Sequence, residues 1–310
     1  MVSEAGTKIA VVGIGKIARD QHLPSIARSA EFELAAAVSR HGKVDGVDNY
    51  TDLETMLRER PDIPAVALCV PPVPRYAMAV AALRAGRHVL LEKPPGTTVG
   101  EVEALVELAR EKNVTLFATW HSRFAPCVEP ARRWLQGKAV RHIDIVWKED
   151  VRRWHPGQAW IWEPGGFGVF DPGINALSIL TAIVQPVFVT EATLKMPENR
   201  QTPIAANLLM SSLAGFRVTA DFDWRQEGPQ TWDIRIETEA GLLLLSEGGS
   251  RMSIDGHEQP SGLEAEYDGI YHRFAELLKA GESDVDLAPH RLVADAFLLG
   301  RKVDVEAFHE

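Results

Sequence analysis

The stretch VVGIGKIA, residues 11–18, constrains the fold of this chain more than any other part of the sequence. It follows a short apolar strand and opens a segment with helical periodicity. Gly13 permits a tight turn, Gly15 lets a phosphate approach the backbone, and Ala18 lets the helix pack closely on a sheet. The helix start also favours phosphate charge, so this position predicts a dinucleotide site, whereas the alternative is a purely structural turn. The candidate cofactor contacts in the turn are Gly13, Gly15, Lys16 and Ile17.

Apolar strands and helices alternate through the first part of the chain, which predicts a parallel sheet covered on both faces. The pattern indicates an α/β dinucleotide-binding (Rossmann) domain over residues 1–123. The predicted strands are Lys8–Val12, Phe32–Val38, Ala65–Val70, His88–Leu91 and Val114–Ala118. The predicted helices are Lys16–Ser29, Leu53–Arg60, Arg75–Ala85 and Val99–Glu111.

The pattern changes after about residue 123, where strands cluster instead of alternating with helices. Clustered, alternating strands predict a largely antiparallel sheet in a second, α+β domain over residues 124–310. Its predicted strands are His142–Lys148, Val187–Leu194, Phe216–Trp224, Thr231–Glu237 and Leu242–Leu245. Its predicted helices are Val128–Leu135, a helix that starts after Asp171, Tyr267–Ala280 and His290–Val303.

The second predicted strand ends in Ser39 and Arg40 rather than in an acidic residue. Sites specific for NAD usually place Asp or Glu near this point, to hold the ribose 2′-hydroxyl. Ser39 can donate to a 2′-phosphate, and Arg40 can pair with that phosphate or stack on adenine. The sequence therefore favours NADP or use of both cofactors, and the alternative is an ordinary surface arginine.

Two further motifs carry polar groups at places where ligands bind. Glu92-Lys93-Pro94 follows the fourth strand, where the carboxyl ends of an open sheet receive ligands. By itself, such a Lys-Pro pair also fits a solvated turn. The stretch GGFGVFDPGINAL places Asp171 and Asn175 four residues apart, on one face of a predicted helix. Asp171 also fits an N-cap, with Pro172 at the first helical position.

Together, VVGIGKIA, EKP and GG-x-x-x-x-D-x-G-x-N resemble the glucose–fructose oxidoreductase and inositol dehydrogenase (Gfo/Idh/MocA) family over essentially the whole chain. The resemblance implies a nicotinamide-dependent oxidoreductase acting on sugars or polyols, with an open sheet that often forms the oligomer contact. It matches Lys93 to the family's EKP lysine and Asp171 to its helix aspartate. Many members have a histidine as general base where this chain has Asn175, and asparagine cannot take a proton at neutral pH.

An asparagine at this position, with the sequence WKEDVRRWHPGQ, is similar to the L-arabinose/D-galactose 1-dehydrogenase subgroup. Because an aldose C1 hydroxyl is more acidic than an ordinary alcohol, its oxidation needs only a weak base. The resemblance implies oxidation at C1 to the lactone. Either Lys93 or Asp171 accepts the proton of the C1 hydroxyl, and we favour Lys93 hydrogen-bonding that hydroxyl with Asp171 sharing or relaying the proton. The catalytic candidates are Lys93, Asp171 and Asn175, the sugar-binding candidates are Glu149, His155, His121 and Trp154, and Glu92 and Lys93 join the cofactor candidates. The alternatives are structural histidines, tryptophans packed in the core, an inositol or dihydrodiol dehydrogenase, and a sugar-responsive regulator without turnover.

The net charge, the apolar runs and the cysteines of the chain limit the classes of partner that it is expected to bind. The net charge of −10 disfavours nucleic acid and anionic membranes. The start of the chain shows no apolar signal region, and no run approaches the ~18 apolar residues of a membrane span. The two cysteines, Cys69 and Cys127, belong to no metal-binding motif. We expect a cytoplasmic enzyme with an aldose substrate and no metal, assembled as a homodimer or homotetramer.

Overall fold

The computed structural model describes residues 6–310 as two compact units. The first unit holds the chain up to His121 together with Tyr267–Leu287. The second holds Ser122–Glu266 and Ala288–Glu310. A single boundary after residue 123 does not include the return of the chain to the first unit. That return has an apolar cause, since Phe274 is fully buried and stacks on Phe32 with 5.6 Å between ring centroids.

The first unit contains a parallel sheet, as the alternating pattern predicts, of order β3-β2-β1-β4-β5-β6. It has six strands instead of the five predicted, because the short strand β3 adds to one edge. The strand order reverses between β1 and β4, which is where ligands bind in open sheets of this type. The strands are β1 Thr7–Val12, β2 Phe32–Val38, β3 Asp48–Tyr50, β4 Ala65–Leu68, β5 His88–Leu91 and β6 Leu116–Ala118. Its helices are α1 Leu23–Arg28, α2 Leu53–Glu59, α3 Pro72–Arg84, α4 Val99–Lys112 and the returning α8 Glu266–Ala280.

The predicted helix over Lys16–Ser29 is present, since Lys16–Arg28 is helical throughout, but its hydrogen bonding is not regular. The chain forms a π-turn over Ala18–His22 before α1 begins, and the Leu23 N–H bonds to the Ala18 carbonyl five residues earlier. Pro24 lacks an N–H group, so an uninterrupted α-helix would lose a hydrogen bond here. π-Turns of this kind recur at functional sites.

The second unit is built on a nine-stranded sheet of order β14-β13-β12-β11-β7-β10-β9-β8-β15. Most neighbours are antiparallel, which confirms the predicted sheet class, but β10 runs parallel to β7 and β15 parallel to β8. Residues of β7 alternate between buried and half-buried, so one face of the sheet covers the core. The strands are β7 Val140–Lys148, β8 Val187–Pro197, β9 Ala205–Ser212, β10 Arg217–Asp223, β11 Thr231–Thr238, β12 Gly241–Ser246, β13 Arg251–Ile254, β14 His257–Glu258 and β15 Gly300–Val305. The helices are α5 Val128–Leu135, α6 Val151–Trp154, α7 Phe170–Ile183 and α9 Ala288–Leu299.

The predicted helix His290–Val303 is wrong in its last turn. The helix α9 ends at Leu299, and the chain continues at Gly300 as the edge strand β15. A Cβ atom at Gly300 would lie 2.7 Å from Cδ1 of Leu194 in β8. Glycine therefore lets the chain leave the helix close against the neighbouring strand.

Among residues 6–310, no helix combines the length and the apolar character that crossing a bilayer requires.

Candidate active site

The glycine turn after β1 has the geometry that its motif predicts. Gly13 has φ +90°, and a Cβ atom there would lie 2.8 Å from Cγ1 of Val70. A Cβ atom at Gly15 would meet no atom of the chain within 4 Å, so the backbone there is open to an approaching group. Ala18 is fully buried against the sheet. The fold itself therefore requires Gly13, whereas Gly15 leaves the open backbone that a dinucleotide phosphate could approach.

Substitution by alanine should affect different properties at these two glycines. Gly13→Ala should lower the free energy of unfolding by about 1–3 kcal/mol, because it forces positive φ and a clash. Gly15→Ala should leave stability unchanged and weaken NADPH binding at least about tenfold. Urea unfolding and a fluorescence titration with NADPH measure both quantities. Equal losses of stability in the two variants would contradict this division of roles.

Other predicted cofactor residues surround the turn. Lys16 is exposed and pairs with Asp20. Ile17 is 37% exposed, which is high for an apolar side chain. After β2, the Oγ of Ser39 accepts a hydrogen bond of 3.1 Å from the N–H of Gly42, and Arg40 is exposed. A Cβ atom at Gly42 would lie 2.8 Å from the Ile14 carbonyl oxygen, so the Ser39–Gly42 loop packs directly on the glycine turn.

The EKP turn follows β5 and is held from two sides. The buried Arg75 donates to the carbonyl oxygens of Val70, Glu92 and Pro94. The Glu92 carboxylate accepts a 2.6 Å hydrogen bond from the Lys93 N–H, and the Lys93–Pro94 peptide is cis. These contacts fix the backbone from which the half-buried Lys93 side chain projects.

His121 lies just after β6 in the first unit. Its ring stacks on Tyr267 of α8, with 5.6 Å between centroids and an interplanar angle of 21°. His121 is half-buried, so its position combines a packing role with partial access to solvent.

Asp171 is buried inside the first turn of α7, and the cap residue is Val169. The N-cap interpretation of Asp171 is therefore wrong. The cause is local, because the Asp171 N–H bonds to the Gly168 carbonyl at 2.8 Å, and the helix begins one residue before the Asp-Pro pair. Asn175 lies one turn later and is half-buried. The predicted shared face of Asp171 and Asn175 follows from this helix register.

The second unit brings three predicted residues together. His155 lies with Nε2 3.6 Å from a Glu149 oxygen and Nδ1 3.7 Å from an Asp171 oxygen. Glu149 and Asp171 are each 3% exposed. A histidine between two buried carboxylates can pass a proton or bind a hydroxyl group, which are the roles needed in alcohol oxidation.

Sequence reasoning missed the groups that hold Glu149. Trp224 donates its indole N–H to one carboxylate oxygen at 3.2 Å, and Trp232 donates to the other at 2.9 Å. The ring of Trp154 lies 5.2 Å from that of Trp232, centroid to centroid, and His155 lies 5.2 Å from Trp224. Trp224 and Trp232 are 75 and 83 residues from Glu149, so no local spacing signals these contacts.

Within the described part of the chain, no group of three or more His, Cys, Asp or Glu residues is arranged to hold a metal ion.

Comparison with known proteins now adds to this geometry. Residues 7–119 match the family model GFO_IDH_MocA, described as an oxidoreductase family with an NAD-binding Rossmann fold. A galactose 1-dehydrogenase of Pseudomonas fluorescens is 44% identical over 304 residues, which cover 98% of this chain and 99% of that protein. The chain belongs to the Gfo/Idh/MocA oxidoreductase family. The family resemblance seen in the motifs is thereby confirmed.

Two solved structures have the same fold over all or nearly all of this chain. A D-galactose-1-dehydrogenase from Rhizobium etli superposes with a TM-score of 0.95 at 56% identity and covers all of both chains. A 3-ketoreductase from Actinomadura kijaniata, solved with TDP-benzene and NADP, has a TM-score of 0.81 at 20% identity, with 97% and 99% of the chains covered. At that identity the second likeness shows the fold alone. The protein is therefore an oxidoreductase whose first unit has the NAD-binding Rossmann fold.

Proposed function

We propose that this protein is an NAD(P)-dependent aldose 1-dehydrogenase that oxidises D-galactose, and L-arabinose, at C1 to the lactone. The observation that carries the proposal is the full-length likeness to two proteins named as galactose 1-dehydrogenases, at 44% and 56% identity. The two sugars share their ring stereochemistry and differ by one hydroxymethyl group. A pocket for the ring of one therefore suits the ring of the other.

In this proposal the chain handles the proton of the C1 hydroxyl. Asp171 accepts or shares that proton, and His155 lies 3.7 Å from its carboxylate to pass it on. Lys93 hydrogen-bonds the reacting hydroxyl, and Asn175 orients the sugar. Because the anomeric hydroxyl is relatively acidic, the reaction proceeds without the family's usual histidine at position 175.

The sugar-binding roles in the second unit follow from the cluster of Glu149, His155 and Asp171. Each Glu149 oxygen accepts one indole N–H and keeps a further acceptor site for a sugar hydroxyl. We assign hydroxyl contacts to Glu149, His155 and His121, and an apolar platform to Trp154. Sugar sites need this mixture of fixed polar groups and a flat apolar surface.

The cofactor roles rest on the first unit. Bound at the glycine turn, the nicotinamide cofactor supplies the acceptor for the C1 hydride. Ser39 and Arg40, with no acidic residue at the end of β2, suit the 2′-phosphate of NADP and tolerate NAD. The pyrophosphate contacts are assigned to Gly13, Gly15, Lys16 and Ile17, and the EKP residues Glu92 and Lys93 belong to the nicotinamide end.

Arg40→Ala should raise KM for NADP+ by about 10- to 100-fold, the range expected for one charge-assisted hydrogen bond to phosphate. KM for NAD+ should change less than about twofold, because NAD+ lacks that phosphate. Arg58→Ala, which removes an exposed arginine of α2 in the same unit, is the matched control. Equal changes with both cofactors would show that Arg40 does not read the phosphate.

The test of function is reduced-nicotinamide absorbance with purified protein, NAD+ or NADP+, and a panel of aldoses and polyols. Turnover of galactose or arabinose, without turnover of inositol, supports C1 oxidation. Turnover of polyols alone indicates an inositol or dihydrodiol dehydrogenase. Cofactor binding without any turnover indicates a sugar-responsive regulator, the alternative that Asn175 keeps open. Light scattering then tests the proposed homodimer or homotetramer.

A further inference from the structure

Glu92 is a buried carboxylate that hydrogen-bonds to other residues of the first unit. It is 3% exposed, and its Oε2 accepts the hydrogen bond from the Lys93 N–H at 2.6 Å. Its Oε1 accepts the hydroxyl of Tyr267 at 2.7 Å and faces Nε2 of His22 at 3.1 Å. The carboxylate thus bridges a set of buried side chains and the backbone of the EKP turn.

The bridge joins three distant parts of the chain, which are the segment Ala18–His22, the EKP turn and helix α8. His22 comes from the π-turn after the glycine motif, and Tyr267 and Tyr271 come from α8. His22 is fully buried, and its Nδ1 lies 2.8 Å from the Tyr271 hydroxyl. Both ring nitrogens of His22 are therefore engaged, which fixes the orientation of the imidazole.

We propose that His22, Tyr267 and Tyr271 are positioning residues for Lys93, which act through the carboxylate of Glu92. The proposal rests on the proposed role of Lys93 in aldose oxidation. It gives the buried Glu92 a structural task in the EKP turn. A lysine that must meet a reacting hydroxyl within a few tenths of an ångström needs such support for its backbone.

The pKa of Glu92 agrees with this arrangement. Burial raises the pKa of Glu92, but the hydrogen bond and charge of His22, the charge of His121 and the hydrogen bond of Tyr267 together lower it to about 2. The stabilisation from this carboxylate is present above its ordinary pKa and is lost as the pH falls through the lowered value. Glu92 is therefore ionised, and a strong acceptor, throughout the neutral range.

His22 shows the complementary behaviour. Burial lowers its pKa, but Cys69, Tyr271 and Glu92 outweigh burial and raise the pKa of His22 well above 6.5. Its contribution is fully present below its ordinary pKa and is lost as the pH rises through the raised value. Burial also raises the pKa of Tyr271 to about 12, so its hydroxyl stays neutral beside Nδ1 of His22. The raised pKa of His22 favours the imidazolium form beside the Glu92 carboxylate.

Hydrogen exchange at single amides tests the proposal without using activity. The Lys93 amide bonds to Glu92, whereas the Val89 amide in the same segment bonds to the Thr115 carbonyl at 2.9 Å. In His22→Gln, exchange at Lys93 should rise at least about tenfold relative to Val89, and in Tyr267→Phe about fivefold. Tyr76→Phe, the same change on α3 of this unit, should leave the ratio unchanged. Parallel changes at both amides in the His22 and Tyr267 variants would overturn the proposal.

Kinetics supply a second readout. Tyr267→Phe and Tyr271→Phe each remove a single oxygen, so they keep the test sound even where His22→Gln fails to fold. Each should lower kcat for galactose about five- to tenfold, with KM for galactose and Kd for NADPH within about twofold of wild type. Unchanged kcat in both would overturn the positioning role. A wild-type protein that turns over no aldose would refute the proposed function, while the exchange ratio would still decide whether His22 and Tyr267 position the Lys93 backbone.

Discussion

Asp171→Asn is expected to lower kcat for galactose at least ~10²-fold, the low end for a positioned acid or base. The substitution keeps the size of the side chain but removes its ability to accept a proton, and it takes the negative charge away from His155, 3.7 Å distant. KM for galactose should change far less, because asparagine still bonds to hydroxyl groups. Initial rates at saturating substrate, with circular dichroism to confirm the fold, measure the effect.

Asp221→Asn is the matched control for this variant. Asp221 lies on β10 of the same unit, half-exposed, and pairs with Lys148 at 2.5 Å. It should retain kcat within about twofold of wild type, as expected for an exposed ion pair. Near-normal turnover in Asp171→Asn would remove this carboxylate from the chemistry and leave Lys93 as the remaining candidate base.

Lys93→Ala is the second large effect, with kcat again lowered at least ~10²-fold. The Lys93 side chain projects from a turn held by the Arg75 side chain and the Glu92 carboxylate, so its loss should leave the fold intact. Lys112→Ala, at the exposed end of α4, is the matched control and should keep full turnover. A kcat of Lys93→Ala close to that of wild type would exclude the lysine from the reaction.

The pH dependence of the residual activity distinguishes the two residues. A group that acts as general base produces the acidic limb of the kcat profile, where activity rises with pH. That limb should disappear in the variant that lacks the base and persist in the other. A limb lost from Asp171→Asn alone assigns proton acceptance to Asp171, and a limb lost from Lys93→Ala alone assigns it to Lys93.

Much of the fold could be predicted because its causes are local. A parallel sheet buried on both faces needs continuous apolar strands, and Ala65–Leu68 and His88–Leu91 show them. Errors arose where tertiary contacts chose between local options. The chain after α9 became an edge strand because pairing with β8 was available.

The candidate site divides in the same way. The sequence by itself located the glycine turn, the EKP turn and the helical spacing of Asp171 and Asn175, because each is marked by a motif of a few consecutive residues. Only the tertiary structure decided that Trp224 and Trp232 hold Glu149, and that Tyr271 meets His22 across 249 residues. Buried polar groups must find partners wherever the fold supplies them, since leaving one unpaired costs about 1–3 kcal/mol. Sequence spacing carries no record of such pairings, because long-range packing brings the partners together.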